Sequence, residues 1–123
     1  MPALPLVPLP ASVRPGSDAF RLRDGAGDDL ERAGVRFERA DDGAPESYRI
    51  VVDEASALVT APDDAGLFYG RQTLRRLVDS DERGAFLPAL EIDDAPRFAY
   101  RGAMLDVARH FFPLDVICGY IDR

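Results

Sequence analysis

The stretch from Tyr48 to Val78 constrains this chain most, because two alternating segments are followed at once by a helical one carrying glycine on its apolar side. In Tyr48-Arg49-Ile50-Val51-Val52, the residues Tyr48, Ile50 and Val52 share a face. Ala57-Leu58-Val59-Thr60-Ala61 follows after Asp53-Glu54-Ala55-Ser56, a polar connection of hairpin length, and the pair predicts an antiparallel hairpin. Pro62-Asp63-Asp64 then opens a helix, where Asp63 or Asp64 can cap the free N–H groups and suit the positive end of the dipole. Leu67, Gly70, Leu74, Leu77 and Val78 recur at helical spacing. Gly66 and Gly70, four apart, cost helix propensity. Their placement predicts a helix lying flat on the sheet, with the glycines letting the backbones approach. Arg71, Arg75 and Arg76 are expected on the outward, solvated face.

The flanks read less regularly. Residues 1–19 are expected to be irregular, since Pro2, Pro5, Pro8, Pro10 and Pro15 each lack an N–H and restrict the residue before them. The PxxP spacing suits a polyproline ligand or an extended arm lying along its own domain, and the arm is favoured. Phe20-Arg21-Leu22 predicts a short strand, Asp24 to Glu31 a loop or a weak helical turn, and Val35 to Arg39 a strand with Val35 and Phe37 on one face. Asp41 to Pro45 breaks that strand, and Asp79 to Gly84 reads as a charged turn. Ala89 to Ile92 predicts one more strand, and Asp93-Asp94-Ala95-Pro96 a domain boundary.

Beyond it, Tyr100 to Asp106 is a mostly apolar run of the kind buried on both faces in a parallel sheet. Pro113 then starts a helix, with Val116, Ile117, Tyr120 and Ile121 on one face. A βα unit begins there, and within the 123 residues nothing completes it.

Charge narrows the partners. Fifteen basic against 22 acidic residues give a formal net charge of -7. That balance disfavours nucleic acid, whose phosphates need a basic face, and equally an anionic membrane surface; a neutral ligand such as a sugar is compatible with it. Cys118 is the single cysteine, so no internal disulfide forms, and a small buried thiol is expected. The opening residues lack a basic stretch before their apolar run and hold too many prolines for a signal-peptide core, so a cytoplasmic protein is expected. No metal and no cofactor are expected: Asp106 and His110 are four apart, but no second His or Cys accompanies them.

Two segments carry a family resemblance. Tyr48 through Leu74, with Ala65-Gly66-Leu67-Phe68-Tyr69-Gly70-Arg71-Gln72-Thr73-Leu74 at its end, resembles the hairpin and AGLFYGxQTLxQL helix of the non-catalytic domain that precedes the barrel in glycoside hydrolase family 20, the β-N-acetylhexosaminidases. Pro96 through Pro113 is similar to that family's first barrel segment, PRFxYRGxMLDxARHFxP, at nearly every position. Val7-Pro8-Leu9-Pro10 also matches a PxP opening.

The resemblance implies an α+β fold, an antiparallel sheet with a packed helix in residues 1–95. The opening βα unit of a truncated TIM barrel would follow in residues 96–123. It also implies hydrolysis of terminal N-acetylhexosamine residues from β-linked glycosides, with the sugar's own acetamido oxygen attacking the anomeric carbon, an exception to the usual two-carboxylate scheme. An Asp holds the acetamido group and a Glu protonates the leaving oxygen. The resemblance puts both beyond Arg123, so no catalytic residue is assigned in this chain, which is expected to be inactive alone. Arg101 corresponds to the family's Arg that grips the outer hydroxyls of the terminal sugar, a task suited to a planar fork of donors. Composition alone would make it a salt-bridged Arg at a strand's start.

Asp106 and Arg109 are expected to pair and shape the first loop, with His110 a junction residue. Compared with the family, the stretch between Val7 and Tyr48 is short and loop-like, which implies a reduced sheet. The unpartnered strand from Tyr100 is expected to drive self-association, or disorder after Pro96. A stand-alone scaffold that pairs with another chain is the alternative reading.

Overall fold

A computed structural model describes residues 5–23 and 29–122. Part of the stretch expected as a loop or weak turn, Asp24 to Asp28, and Pro2 of the PxxP run lie outside the described residues. Among the described residues, six strands and two helices follow one another: β1 (Ser12–Arg21), β2 (Arg36–Arg39), β3 (Tyr48–Val52), β4 (Ala57–Ala61), α1 (Asp64–Leu77), β5 (Asp79–Asp81), β6 (Gly84–Asp94) and α2 (Leu114–Ile121). They form one sheet in the order β1-β6-β3-β4-β2, with β5 paired to β6. All pairs are antiparallel except β2 with β4, which run parallel.

The register explains the core. Phe37, Val59, Ile50, Ile92 and Val13 stand opposite one another in a row across β2, β4, β3, β6 and β1. Side chains alternate along each strand, so all five share a face. Val59, Ile50 and Ile92 are fully buried there, with Leu74 of α1 above them and Leu87 of β6. Each large apolar side chain hidden this way stabilises the fold by about 1.5–3 kcal/mol. The opposite face is a charged ladder. Glu91 and Asp93 of β6 each pair with Arg14 of β1 on one side and Arg49 of β3 on the other, at 2.7–3.4 Å.

Helix α1 packs across β3 and β4 as its two glycines foretell. A Cβ on Gly66 would sit 2.1 Å from the Ser47 carbonyl oxygen, and one on Gly70 2.5 Å from Val59 Cγ1. Asp63 is the N-cap, its carboxylate accepting the Gly66 N–H at 2.7 Å. Arg71 departs from the expected solvated face. Its guanidinium lies 4.1 Å from the Phe37 ring centroid and pairs with Glu31 at 2.9 Å, so the positive charge is held by an aromatic face and a carboxylate rather than by water alone.

Several expectations change. Residues 12–19 form most of β1 rather than an irregular arm, so the short strand expected at Phe20 begins eight residues earlier, at Ser12. Pro15 is tolerated because β1 is an edge strand, and its register slips between Pro15 and Ala19. The arm proper does lie along its own domain, with Leu6 buried in the core. Strand β6 begins at Gly84, five residues before the expected start. Pro88 fits inside it because β3 pairs only from Leu90 onward, and the expected charged turn becomes the β5–β6 hairpin.

The run from Tyr100 to Asp106 forms no strand; Tyr100 is 89% exposed and Met104 86%. A parallel barrel strand exists only through hydrogen bonds to neighbours on both sides, and the described residues supply none. Helix α2 forms where expected but buries no residue, which leaves Cys118 exposed instead of packed.

Candidate functional site

A cleft of about 530 Å³ lies where the chain leaves the sheet, between α1, the N-terminal arm and the segment from Asp94 to Arg101. Asp94, the last residue of β6, holds its walls together. One carboxylate oxygen accepts the Ala11 N–H at 3.0 Å and the other accepts the Tyr48 hydroxyl at 2.9 Å. The Tyr48 oxygen in turn lies 2.8 Å from the Thr73 hydroxyl on α1. Burial pushes the Tyr48 phenol up to about 12; the Thr73 contact opposes this and the Asp94 charge reinforces it, so the phenol stays protonated as a donor. One carboxylate thus ties the arm, the sheet and the helix at the base of the cleft.

Arg101 stands at the rim, its side chain 41% exposed. One terminal nitrogen donates to the Phe98 carbonyl at 2.7 Å and to Glu46 at 3.2 Å; the other reaches Glu46 at 3.1 Å and the Tyr69 hydroxyl at 3.1 Å. The Tyr69 and Glu46 hydrogen bonds, in that order, hold the guanidinium proton more firmly than usual. Glu46 is placed by its turn: it has φ 63, and its N–H donates to Asp63 at 2.7 Å. That bond, followed by the one from Gly66, keeps the Asp63 carboxyl below the usual range.

Of the residues singled out from sequence, Arg101 borders the cleft while Asp106, Arg109 and His110 do not. Asp106 and Arg109 pair as expected, at 2.6 Å. Asp106 also accepts the N–H groups of Ala108 and Arg109, which depress its pKa and fix the loop. His110 is exposed.

Two adjacent Asp-Glu pairs exist in the chain, and neither faces the cleft. Asp53 accepts the N–H groups of Ala55 and Ser56 in the β3–β4 turn, with Glu54 exposed beside it. Asp81 is held by Arg21 at 2.6 Å in the β5–β6 hairpin, with Glu82 exposed. Nothing in the sequence marks Glu46, Tyr69 or Asp94 for a role at the cleft: Tyr69 lies in the family-like motif of α1, Asp94 in the expected boundary, and Glu46 in a turn with no signal of its own.

Residues 25–95 match the domain described as Glycosyl hydrolase family 20, domain 2, and residues 98–123 match Glycosyl hydrolase family 20, catalytic domain. Over 84 residues the chain is 43% identical to a beta-N-acetylhexosaminidase of Cellulomonas fimi, a match covering 66% of this chain and 17% of that protein. Over 77 residues it is 43% identical to an N,N'-diacetylchitobiase of Vibrio harveyi, covering 63% and 9%. Its fold superposes on a glycoside hydrolase family 20 beta-N-acetylglucosaminidase with a TM-score of 0.75 at 41% identity, over 99% of this chain and 28% of that one. The chain therefore spans less than a fifth of these two curated relatives. With the accessory domain matched over more than half of its residues and the catalytic domain's opening segment following in order, the chain belongs to glycoside hydrolase family 20.

Proposed function

We propose that this chain is the N-terminal portion of a β-N-acetylhexosaminidase acting on glycans that end in N-acetylhexosamine, with residues 1–95 as the accessory domain and 96–123 as the start of the catalytic barrel. The observation that carries this is the ordered match of both domains, with Arg101 inside the second. In the proposed reaction the acetamido oxygen bonds to the anomeric carbon as the glycosidic bond breaks. The leaving oxygen takes a proton from an acid outside these 123 residues, and water then opens the intermediate. Arg101 would address the sugar's outer hydroxyls. Both of its terminal nitrogens are engaged by Glu46, Phe98 and Tyr69, so a sugar has to displace at least one of these partners to reach them.

The 123-residue chain is expected to release nothing from a chromogenic N-acetylglucosaminide, and a longer protein in which these residues are joined to a complete barrel is expected to hydrolyse it. Protein-dependent hydrolysis by the short chain alone would overturn this reading. In the longer protein, Arg101→Lys keeps the charge but loses the planar fork, and a 10- to 100-fold drop in kcat/KM is expected, on the order of the 1.5–3 kcal/mol carried by hydrogen bonds to a charged group. The cytoplasmic location expected from the sequence remains part of the proposal, and cell fractionation checks it.

A second reading has one observation in its favour. Phe98, Tyr100, Met104, Phe111 and Ile121 are all exposed, an apolar surface that suits a non-catalytic scaffold pairing with another chain. Co-purification of a polypeptide carrying further barrel strands would support it over the first.

A further inference from the structure

Glu46 occupies the left-handed region, which side-chain-bearing residues seldom adopt. Its surroundings hold it there. Its own N–H is bound by the helix cap Asp63, Ser47 is closed onto Ala44 through both its N–H and its hydroxyl, and Gly66 presses against the Ser47 carbonyl with no room for a Cβ. The Glu46 carboxylate is thus presented from a turn fixed between the start of β3 and the first turn of α1. Tyr69, one turn along α1, offers its hydroxyl beside it. Arg101 reaches both from 55 and 32 residues away, and its guanidinium also binds back to the Phe98 carbonyl.

We propose that Glu46 and Tyr69 are a preformed receiver for Arg101, and that this contact straps the segment after Pro96 onto the sheet-and-helix unit. The segment needs such a device. Phe98, Tyr100 and Met104 are exposed, so apolar burial does little to hold it. A charged fork on a charged acceptor is the stronger class of hydrogen bond, and a receiver that is already ordered adds little entropy cost when the strap closes. The strap does not rest on the proposed hydrolysis, and it is readable without substrate.

Limited digestion of the 123-residue chain with chymotrypsin, followed by mass spectrometry of cleavage after Phe98 and Tyr100, tests it. Glu46→Gln is expected to speed cleavage at these two sites by about two- to five-fold, the range of an exposed ion pair, while the amides of α1 and β3 keep their protection in hydrogen exchange. Tyr69→Phe is expected to give a smaller rise at the same sites. The charge-swapped double variant, Glu46→Arg with Arg101→Glu, is expected to recover the resistance lost in either single variant. Unchanged cleavage after Phe98 and Tyr100 in Glu46→Gln overturns the proposal. So does faster hydrogen exchange spread over α1 and β3, which would make Glu46 a general stabilising residue rather than half of a strap.

Discussion

Gly66 shows how a single absent carbon sets a packing distance. On an exposed helix, replacing glycine with alanine gains about 1 kcal/mol of propensity. Here the new Cβ would meet a backbone oxygen at 2.1 Å, so the sign reverses. Gly66→Ala is expected to destabilise the chain by about 1–3 kcal/mol in urea denaturation. The loss should exceed that of Gly70→Ala, whose Cβ would meet a side-chain methyl. Tyr48 governs the base of the cleft in a comparable way. Tyr48→Phe removes a donor from the Asp94 carboxylate and a partner from Thr73, and a loss of about 1–3 kcal/mol is expected by the same measurement. The glycine pair was legible in the sequence because its spacing matches one helix face. The Tyr48–Asp94 bond was not, because its partners are 46 residues apart and only the pairing of β3 with β6 brings them together.

Among the elements, α1 was the most legible, since cap, apolar stripe and glycines all agree on it. Asp63→Ala removes the acceptor for both Gly66 and Glu46 N–H groups. A loss of about 0.5–2 kcal/mol is expected, read as a lower midpoint in thermal melting. The β5–β6 hairpin carries a pH signature. Arg21 and the Arg83 N–H lower the Asp81 carboxyl to about 2, below the ordinary 3.8. Between those values the unfolded chain binds more protons than the folded one, so the hairpin's contribution is complete above about pH 4 and is lost as pH falls toward 2. Asp81→Asn is expected to flatten the fall in melting temperature across that interval; an unchanged slope would show that the ion pair is not felt. Strands β1 and β6 were only partly legible. Pro15 and Pro88 are strand breakers by local rules, and each is accommodated by a missing neighbour that sequence cannot display.

The molecule as a whole is divided between a closed sheet-and-helix unit and an uncovered apolar tail. Phe98, Tyr100, Met104, Phe111 and Leu114 are each more than two-thirds exposed, and surfaces of this kind associate. Sedimentation velocity is expected to show a weight-average mass that rises with concentration. The double substitution Phe111→Ser and Ile121→Ser is expected to reduce that rise while leaving the far-ultraviolet spectrum of the first 95 residues intact. A monomer at all concentrations would count against association through this surface. Arg101 belongs to the same scale. A motif identified it, but the carboxylate and phenol that receive it were invisible until the turn at Glu46 and helix α1 were placed side by side.

Local patterning by itself determined the β3–β4 hairpin and the capped helix with its close approach to the sheet. These are properties of neighbours in the chain, fixed by alternation, helical period and steric size. The family and the interest of Arg101 came instead from motif resemblance, which is also carried by the sequence alone. Tertiary structure alone decided the sheet order, the parallel pairing of β2, the role of Asp94 and the hold on Arg101. Each of those depends on which distant backbone groups meet. The same physics left Tyr100 to Asp106 without strand structure, since hydrogen bonds to a neighbour, and not apolar composition, are what make a strand.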